Sequence, residues 1–566
     1  MTKDCRGLPP STQGMKTKVF FAVLPLLLAY PWQWLSSHAA RVSPYLEAVV
    51  MRGLGLTLAA GCFAVAVVPS GALPVITKIK AWAGRRFFWI GSIFLLVVFA
   101  ALIAVNRGIL HSFLSSGDEH SCYFLAECLR RGKLFVSPHP LSEFFNVVHV
   151  GNRDGKWFSV YPLGWPLIWA LGLQWRIVDL LNPFMTSLSL VFFYQAGQKL
   201  FGRLAAALGV FLMAISPFFM FTSASYFSHG TCLLAVGVFI FSFLKWTETE
   251  SSRGKIAWAI LCGLACGYGL LTRYLTMAAI AAPFCLYHYI PLFLRRRKWH
   301  ASDLWFIGVV SVFIAITLWH NWRVTGKATK APNKYDKRWE RLGFQGDYTP
   351  LDAARYVIAR FFYLMPWFPA ALIAGYLLSL GWPRAEAGGK RNLFRWGFFY
   401  PVFGYFFYYS WGGNQWGPRY YYEGLPFLAI TVAEFLVYLY KVRGPMVRKF
   451  ILGVAIACLP AVGMLWIKQA AFYRQAQAER KALYVLAETT IRTPAIVFIR
   501  GHLGGLLPLL NEDTVRNSPF LDTRILYAHD LGEKNNSLMA YFPDRDYYLG
   551  YVDRPSGKNI LEKIER

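Results

Sequence analysis

Apolar stretches of about 17 to 24 residues recur along this 566-residue chain, separated by short charged clusters. A helix of that length crosses the roughly 30 Å hydrocarbon core of a bilayer. The composition agrees: 56% of the residues are hydrophobic and only 16% are charged, against about 25% charged in an average soluble domain. A single water-soluble globule is excluded, and the chain reads as an all-α polytopic membrane protein.

Candidate spans are 19–35, 53–76, 87–106, 183–200, 204–221, 229–245, 256–271, 275–294, 303–319, 358–381, 396–411, 425–440 and 450–467. With the N-terminus in the cytoplasm, the inside positions receive Lys78, Lys80, Arg85 and Arg86; Lys199 and Arg203; Arg295 to Lys298; Arg384, Lys390, Arg391 and Arg395; and Lys441, Arg443, Arg448 and Lys449. That is the positive-inside pattern. About 13 transmembrane helices then place the long loops 107–182, 320–357 and 412–424, and the tail from Lys468, on the outer face. Loop 320–357 is the exception, carrying Arg323, Lys327, Lys330, Lys334, Lys337, Arg338 and Arg341. Either the span count shifts there, or a basic surface is kept outside to meet an anionic ligand, the reading preferred here.

The net charge of +29 is not a nucleic-acid footprint. From Lys468 to the end there are 14 basic and 12 acidic residues, so the one large polar segment is nearly neutral and the excess lies in the loops between spans. Of the nine cysteines, Cys62, Cys232, Cys262, Cys266, Cys285 and Cys458 lie in apolar segments without metal or disulfide spacing, and Cys122 and Cys128 fall on different sides of a helix. Basic residues precede the apolar run from Val19, and no clear small-residue cleavage site follows, so 19–35 reads as a retained span.

The outer loops carry the chemistry. In SSGDEHSCYFLAECLRRGKLF, Asp118 and Glu119 precede residues alternating at helical spacing, which fits a short helix on the membrane surface. A helix cap at Asp118, with Glu119 in the first turn, is the alternative. NVVHVGNRDGKWFSVYP reads as strands 146–150 and 156–160 around a turn at 151–155, followed by an amphipathic stretch after Pro162. His229 stands at a span end. Arg273 interrupts two apolar runs, where an arginine usually has a partner or snorkels to lipid phosphate. Arg419 sits among Trp416, Tyr420, Tyr421 and Tyr422, which an interfacial aromatic belt also explains.

Together these residues suit sugar transfer from a lipid carrier. Guanidinium groups hold a lipid-linked phosphate while a carboxylate takes a proton from an acceptor hydroxyl. No P-loop, no G-x-G-x-x-G opening a helix and no H-E-x-x-H is present.

GDEHSCYFLAECLRRGKL resembles the first-outer-loop Asp-Glu motif of the GT-C glycosyltransferases, especially the branch with protein O-mannosyltransferases and the aminoarabinose transferases of lipid A. The blocks KWFSVYPLGWPLIWALG, NPFMTSLSLVFFYQAGQKLFGRLAAALGVFLMAISPFFMFTSASYFSHG, GLACGYGLLTRYLT, WHNWRVTGKATKAPNKY with RLGF, and WGPRYYYEGLPFLAI follow in the same order, so the resemblance covers about residues 87–467. It implies a GT-C-like fold, a polyprenyl-phosphate sugar donor, inversion at the anomeric carbon and a site facing the periplasm or its equivalent. Asp118 corresponds to the general base with Glu119 beside it, and Arg273 and Arg419 stand where such enzymes keep basic residues near the lipid phosphate. Candidate pocket residues are His120, Tyr161, His229, Asn321, Trp416 and Tyr420.

There are departures. One residue is inserted after Glu119, Tyr161 replaces a lysine of the aminoarabinose transferases, and His229 stands where many relatives have aspartate. Lys156 is the candidate to replace the missing lysine at the donor phosphate, a solvated strand residue being the alternative.

The expected organisation is two additional N-terminal spans in 1–86, a catalytic membrane domain over 87–467 and a small extracytoplasmic α/β domain over 468–566, with strands at 495–499, 525–529 and 547–552 and helices at 470–490 and 531–541. The expected protein is a multi-pass enzyme of the bacterial inner membrane, with a lipid, glycan or protein acceptor, membrane lipids around it and no nucleic-acid partner. No obligatory cofactor is expected, with a divalent cation (Mg, Mn or Ca) left open. A transporter or lipid flippase is the rival. Its ionisable groups would lie near the bilayer midplane in repeated halves, whereas here they gather at span ends.

Overall fold

A computed structural model describes residues 53–67, 86–335, 342–346, 348–382, 388–412 and 415–565. The expected span 19–35, the second half of 53–76, and the basic residues Lys78, Lys80, Arg85, Lys337, Arg338, Arg341 and Arg384 lie outside them. Among the described residues six helices are long and apolar enough to cross a membrane, or up to seven if one bent pair counts as a span. The 13 read from the sequence are not reproduced as such, and the differences have local causes.

Helices Arg203–Ile215 and Pro217–Ala224 meet at 64°. Pro217 has no N–H to continue the first helix, and the Ser216 hydroxyl caps the second by accepting the Phe219 N–H at 3.2 Å. The expected span 358–381 divides into Pro350–Leu364 and Ala370–Gly381, with Pro366 and Pro369 between them. The expected span 396–411 contains one short helix, Phe399–Phe406, and a second short helix, Gly389–Trp396, ends where it begins.

The 42-residue helix Ser252–Phe293 is broken at Arg273, whose φ of −144° and ψ of 77° leave the helical region. Its two arms, 252–272 and 274–293, fold back on each other. Gly269 packs so closely on Met277, eight residues further on, that a Cβ would meet its sulfur at 2.6 Å; in a straight helix those positions stand about 12 Å apart. Phe284 reaches Phe239 and Phe243, and His288 reaches Trp246, so the second arm returns along helix His229–Glu248. This hairpin answers to the two expected spans 256–271 and 275–294 and puts Arg273 at its apex.

Helix Pro445–Thr490 has 46 residues, about 69 Å of rise, so it exceeds a bilayer core and continues unbroken through position 468 into the tail. There a four-stranded sheet follows the order Ile525–His529, Ala495–Arg500, Asp546–Val552, Asn559–Ile564; the first three strands are parallel and the last antiparallel. Three of these strands match the sequence expectation and the edge strand Asn559–Ile564 is additional.

The sheet packs on the first long loop. Ile496, Phe498, Leu526 and Ala528 share a core with Phe124, Leu125, Phe144, Phe145 and Trp157. Helix Gly117–Arg130 is therefore buried on both faces, with Trp165 and Trp169 against its other side, rather than lying on a membrane surface. The hairpin in this loop pairs Val150–Arg153 with Lys156–Ser159. Its turn is shorter than expected because Asp154 and Gly155, both at positive φ, form a two-residue turn of the Asp-Gly type.

Candidate active site

Ser116, not Asp118, caps helix Gly117–Arg130; its hydroxyl accepts the Glu119 N–H. Asp118 thus stands in the first helical turn with its carboxylate not used in capping. The segment before it is fastened from the other end of the chain. Arg480 donates to the Ser115 carbonyl at 3.1 Å and Gln415 to the same carbonyl at 2.9 Å, while Arg516 donates to Leu114. Gly117 is required by close approach, since a Cβ there would lie 1.9 Å from Val148 and 2.5 Å from the Asp513 carboxylate.

The Asp118 carboxylate pairs with the Arg419 guanidinium at 2.7 Å and lies 3.5 Å from the His149 ring, and the Tyr161 hydroxyl donates to it. His149 reaches it from a backbone at positive φ, a strained placement held by hydrogen bonds from Ser121 and Val160 to the His149 carbonyl. Burial would raise the Asp118 pKa, but Arg419, His149 and the Tyr161 hydrogen bond outweigh it and hold the carboxyl well below the usual range.

Glu119 is placed differently. Its carboxylate is almost fully buried, accepts the backbone N–H groups of Ser115 and Tyr226, and is pushed by burial up to about 7 despite those bonds. It ties the first loop to residue 226 and lines neither of the cavities at Asp118.

Arg273, at the hairpin apex, lies 3.3 Å from Glu423 and donates to Ser228 at 3.3 Å and to the Tyr405 hydroxyl at 3.0 Å. Glu423 is fully buried and also bonds His229 at 3.0 Å. The arginine thus has the partner that a cation in an apolar segment demands. Nearby, the fully buried Arg360 donates to the carbonyls of Trp411, Tyr405 and Ser410, which fixes the irregular backbone leading to Arg419.

Asp118, Tyr161, Arg273, Arg419 and Tyr420 line one cavity of about 730 Å³ including its mouth, together with Tyr274 and Asn333. Asn333 belongs to loop 320–357, which therefore lies at this end of the bundle. Asp118, Tyr161, Tyr408, Arg419 and Tyr420 also bound a second cavity of about 1060 Å³, closed by His149, Trp411, Glu512 and Asp513. The ion pair Asp118–Arg419 stands in the wall common to both.

The remaining expected site residues lie elsewhere. The Lys156 ammonium is bound to the Arg323 carbonyl at 2.8 Å and lies over the Phe135 ring, outside the cavity wall. Asn321 donates to Ala328. Trp416 is wholly buried against Phe221 and Tyr473. His120 is buried beside Tyr123 and pushed by burial down to about 3. His229 is buried behind the cavity, bonded to Glu423 and packed against Phe227 of its wall.

Glu423, Tyr405, His149 and Asp513 are site residues that the sequence reading did not single out. Glu423 was the most accessible, because it follows Arg419 by four positions in an aromatic run where an acid needs a partner. Among the described residues no three His, Cys, Asp or Glu side chains gather to hold a metal ion. The oxygens of Asp118 are engaged by Arg419, His149 and Tyr161, and those of Glu119 by the N–H groups of Ser115 and Tyr226.

The sequence signature described as dolichyl-phosphate-mannose-protein mannosyltransferase matches residues 171–322. No curated protein sequence matches the chain. ArnT from Cupriavidus metallidurans bound to undecaprenyl phosphate is similar in structure with a TM-score of 0.54 at 13% identity, over 84% of this chain and 98% of that one. Its apo form gives 0.52 at 12% identity, over 85% and 98%. The oligosaccharyltransferase AglB from Archaeoglobus fulgidus, in complex with an inhibitory peptide and a dolichol-phosphate, gives 0.41 at 12% identity, over 84% and 75%. The chain is a multi-pass membrane protein with an ArnT-like fold, and it resembles the GT-C glycosyltransferases in the branch of the protein O-mannosyltransferases and lipid A aminoarabinose transferases.

Proposed function

We propose that the chain is an inverting glycosyltransferase of the bacterial inner membrane, moving one sugar from a polyprenyl-phosphate donor to a lipid, glycan or protein acceptor on the periplasmic face. The observation that carries this reading is that Asp118, Arg273 and Arg419, remote in sequence, line one cavity. The likeness to a protein bound to undecaprenyl phosphate supports it.

The donor phosphate enters the cavity of Arg273 and the acceptor the chamber behind the Asp118–Arg419 wall. The acceptor hydroxyl attacks the anomeric carbon opposite the phosphate, the sugar–phosphate C–O bond breaks, and the electron pair leaves on phosphate oxygen under the two guanidiniums. Asp118 takes the hydroxyl proton. In the resting site Arg419 suppresses the basicity of Asp118; a phosphate that draws Arg419 toward itself restores it, so proton acceptance is coupled to donor binding. No step requires a metal ion, and no nucleotide pocket is needed because the donor carries its own leaving group.

The test is transfer by purified protein in liposomes with a polyprenyl-phosphate sugar, alongside mass spectrometry of glycolipids and envelope glycans from a deletion strain. One missing sugar in the strain and its restoration in vitro are expected. A folded Asp118→Asn protein that still transfers at the wild-type rate would overturn the assignment.

A further inference from the structure

At the opposite end of the bundle from Asp118, the ends of helices His229–Glu248, Ser252–Phe293, Ala301–Thr325 and Gly389–Trp396 surround a cavity of about 1300 Å³. From the hairpin apex at Arg273 to Pro291 at this cavity the second arm rises about 27 Å, close to the thickness of a bilayer core. The cavity therefore sits at the other membrane–water boundary.

Its walls are of two kinds. Lys255, Arg297, His300 and Lys390 supply cationic and imidazole groups, and among the described residues no carboxylate lines it. Leu286 and Ile290 form an apolar flank that is half exposed, at 56% and 47%, where the bundle meets lipid. Two carboxylates stand behind the wall and each is already shared. Glu248 pairs with both Lys199 and Lys390; Asp303 pairs with Arg297 at 2.9 Å and His288 at 2.8 Å. Lys199, Lys255, Lys390 and Arg297 thus meet two carboxylates, and among the described residues the buried Arg297 Nε has no hydrogen-bond partner. A basic pocket between helix ends with an apolar flank is the arrangement that holds an anionic lipid head group.

We propose that this cavity binds the phosphate head group of an anionic phospholipid from the leaflet opposite the candidate active site. The phosphate meets Lys255, Arg297 and Lys390, and the acyl chains run along Leu286 and Ile290. The excess positive charge is then neutralised, and the loop 294–300 joining the hairpin to the next helix is anchored to its leaflet.

The full-length protein, purified in detergent, is titrated with dioleoyl phosphatidylglycerol or dioleoyl phosphatidylcholine and bound lipid is counted by native mass spectrometry. Wild type should retain phosphatidylglycerol in preference to phosphatidylcholine. Lys255→Gln and Lys390→Gln should each weaken that binding about fivefold, whereas Lys255→Arg should leave it within about twofold, which separates lost charge from lost fold. Equal retention of both lipids, or equal phosphatidylglycerol binding by wild type and both glutamine variants, would overturn the proposal. Displacement of the lipid by millimolar inorganic phosphate would also overturn it, by assigning the cavity to a free anion.

Discussion

Asp118 and Arg419, separated by 301 positions, meet as a 2.7 Å ion pair in the wall between two cavities. Because Arg419 also lines the cavity of Arg273, the same guanidinium that lowers the proton affinity of the acid is, in the proposed reaction, available to a phosphate. The first expectation follows from this pairing. Asp118→Asn should lower the transfer rate by about 10² to 10⁴ fold, the usual contribution of a general base, measured with radiolabelled donor beside a melting curve that confirms folding. Loss of ionised Asp118 also leaves Arg419 without its partner, so the melting temperature should fall as well.

The two neighbouring acids should show opposite pH linkage. Glu119 is raised to about 7 from an unfolded value near 4.3. The folded state then holds a proton that the unfolded chain has released, so this group's contribution is full below about pH 4 and is lost as pH rises to about 7. Asp118 is lowered, so its contribution is present above its unfolded value and is lost as the solution is acidified below about pH 4. Thermal midpoints measured from pH 3.5 to 8 should show Glu119→Gln flattening the decline between about pH 4.5 and 7, with transfer reduced less than about tenfold. A catalytic collapse in this variant would place Glu119 in the chemistry.

Arg273 and Glu423 should behave as a unit. Arg273→Lys replaces a planar fork that reaches Ser228, Tyr405 and Glu423 with a single ammonium, so the KM for the lipid donor should rise about tenfold or more with a smaller change in kcat. Glu423→Ala leaves Arg273 unpaired in an apolar setting and should cost about 3 to 5 kcal/mol of stability. A double-mutant cycle on donor affinity should return non-additive effects.

The second cavity makes a separate prediction. Glu512 and Asp513 come from the tail and close the chamber that Asp118 shares with Trp411 and Tyr420. Glu512→Gln should raise the KM for the acceptor several-fold and leave that for the donor unchanged. Equal changes in both constants would show that the tail acts on the whole site.

Gly164 provides a packing test of the hairpin apex. A Cβ there would lie 2.9 Å from the Leu271 carbonyl and 2.2 Å from the Thr272 hydroxyl, and backbone cannot move aside as a flexible side chain does. Gly164→Ala should cost about 1 to 3 kcal/mol and shift Arg273, so a lower melting temperature and weaker donor binding should appear together.

Much of this architecture is legible in one dimension. Apolar length predicts His229–Glu248, Ala301–Thr325 and Leu425–Val442 within a few residues, because covering a hydrocarbon layer is a local property of a segment. The loop helix after Gly117 and three tail strands are likewise local patterns. The span count is harder, since Ser216-Pro217 and Pro366 with Pro369 divide apolar runs whose hydropathy does not change. The turn at Asp154-Gly155 was readable from its dipeptide. Asp118, Arg273 and Arg419 stand out because a charge beside an apolar run needs a reason.

What the sequence by itself determined is that this chain lives in a membrane and that a few isolated ionisable residues mark its working end; the energetic penalty of placing backbone and charge in lipid writes both into local composition. What only the tertiary structure decided is which of those residues meet. Glu119 and His120 turn inward, because one turn of helix directs neighbouring side chains to different surroundings. Lys156 satisfies a carbonyl, while Glu423, His149 and Asp513 are brought to Arg273 and Asp118 by the hairpin, a strained backbone and a tail segment nearly 400 residues away. Partnership between distant side chains depends on packing directions that no single segment encodes.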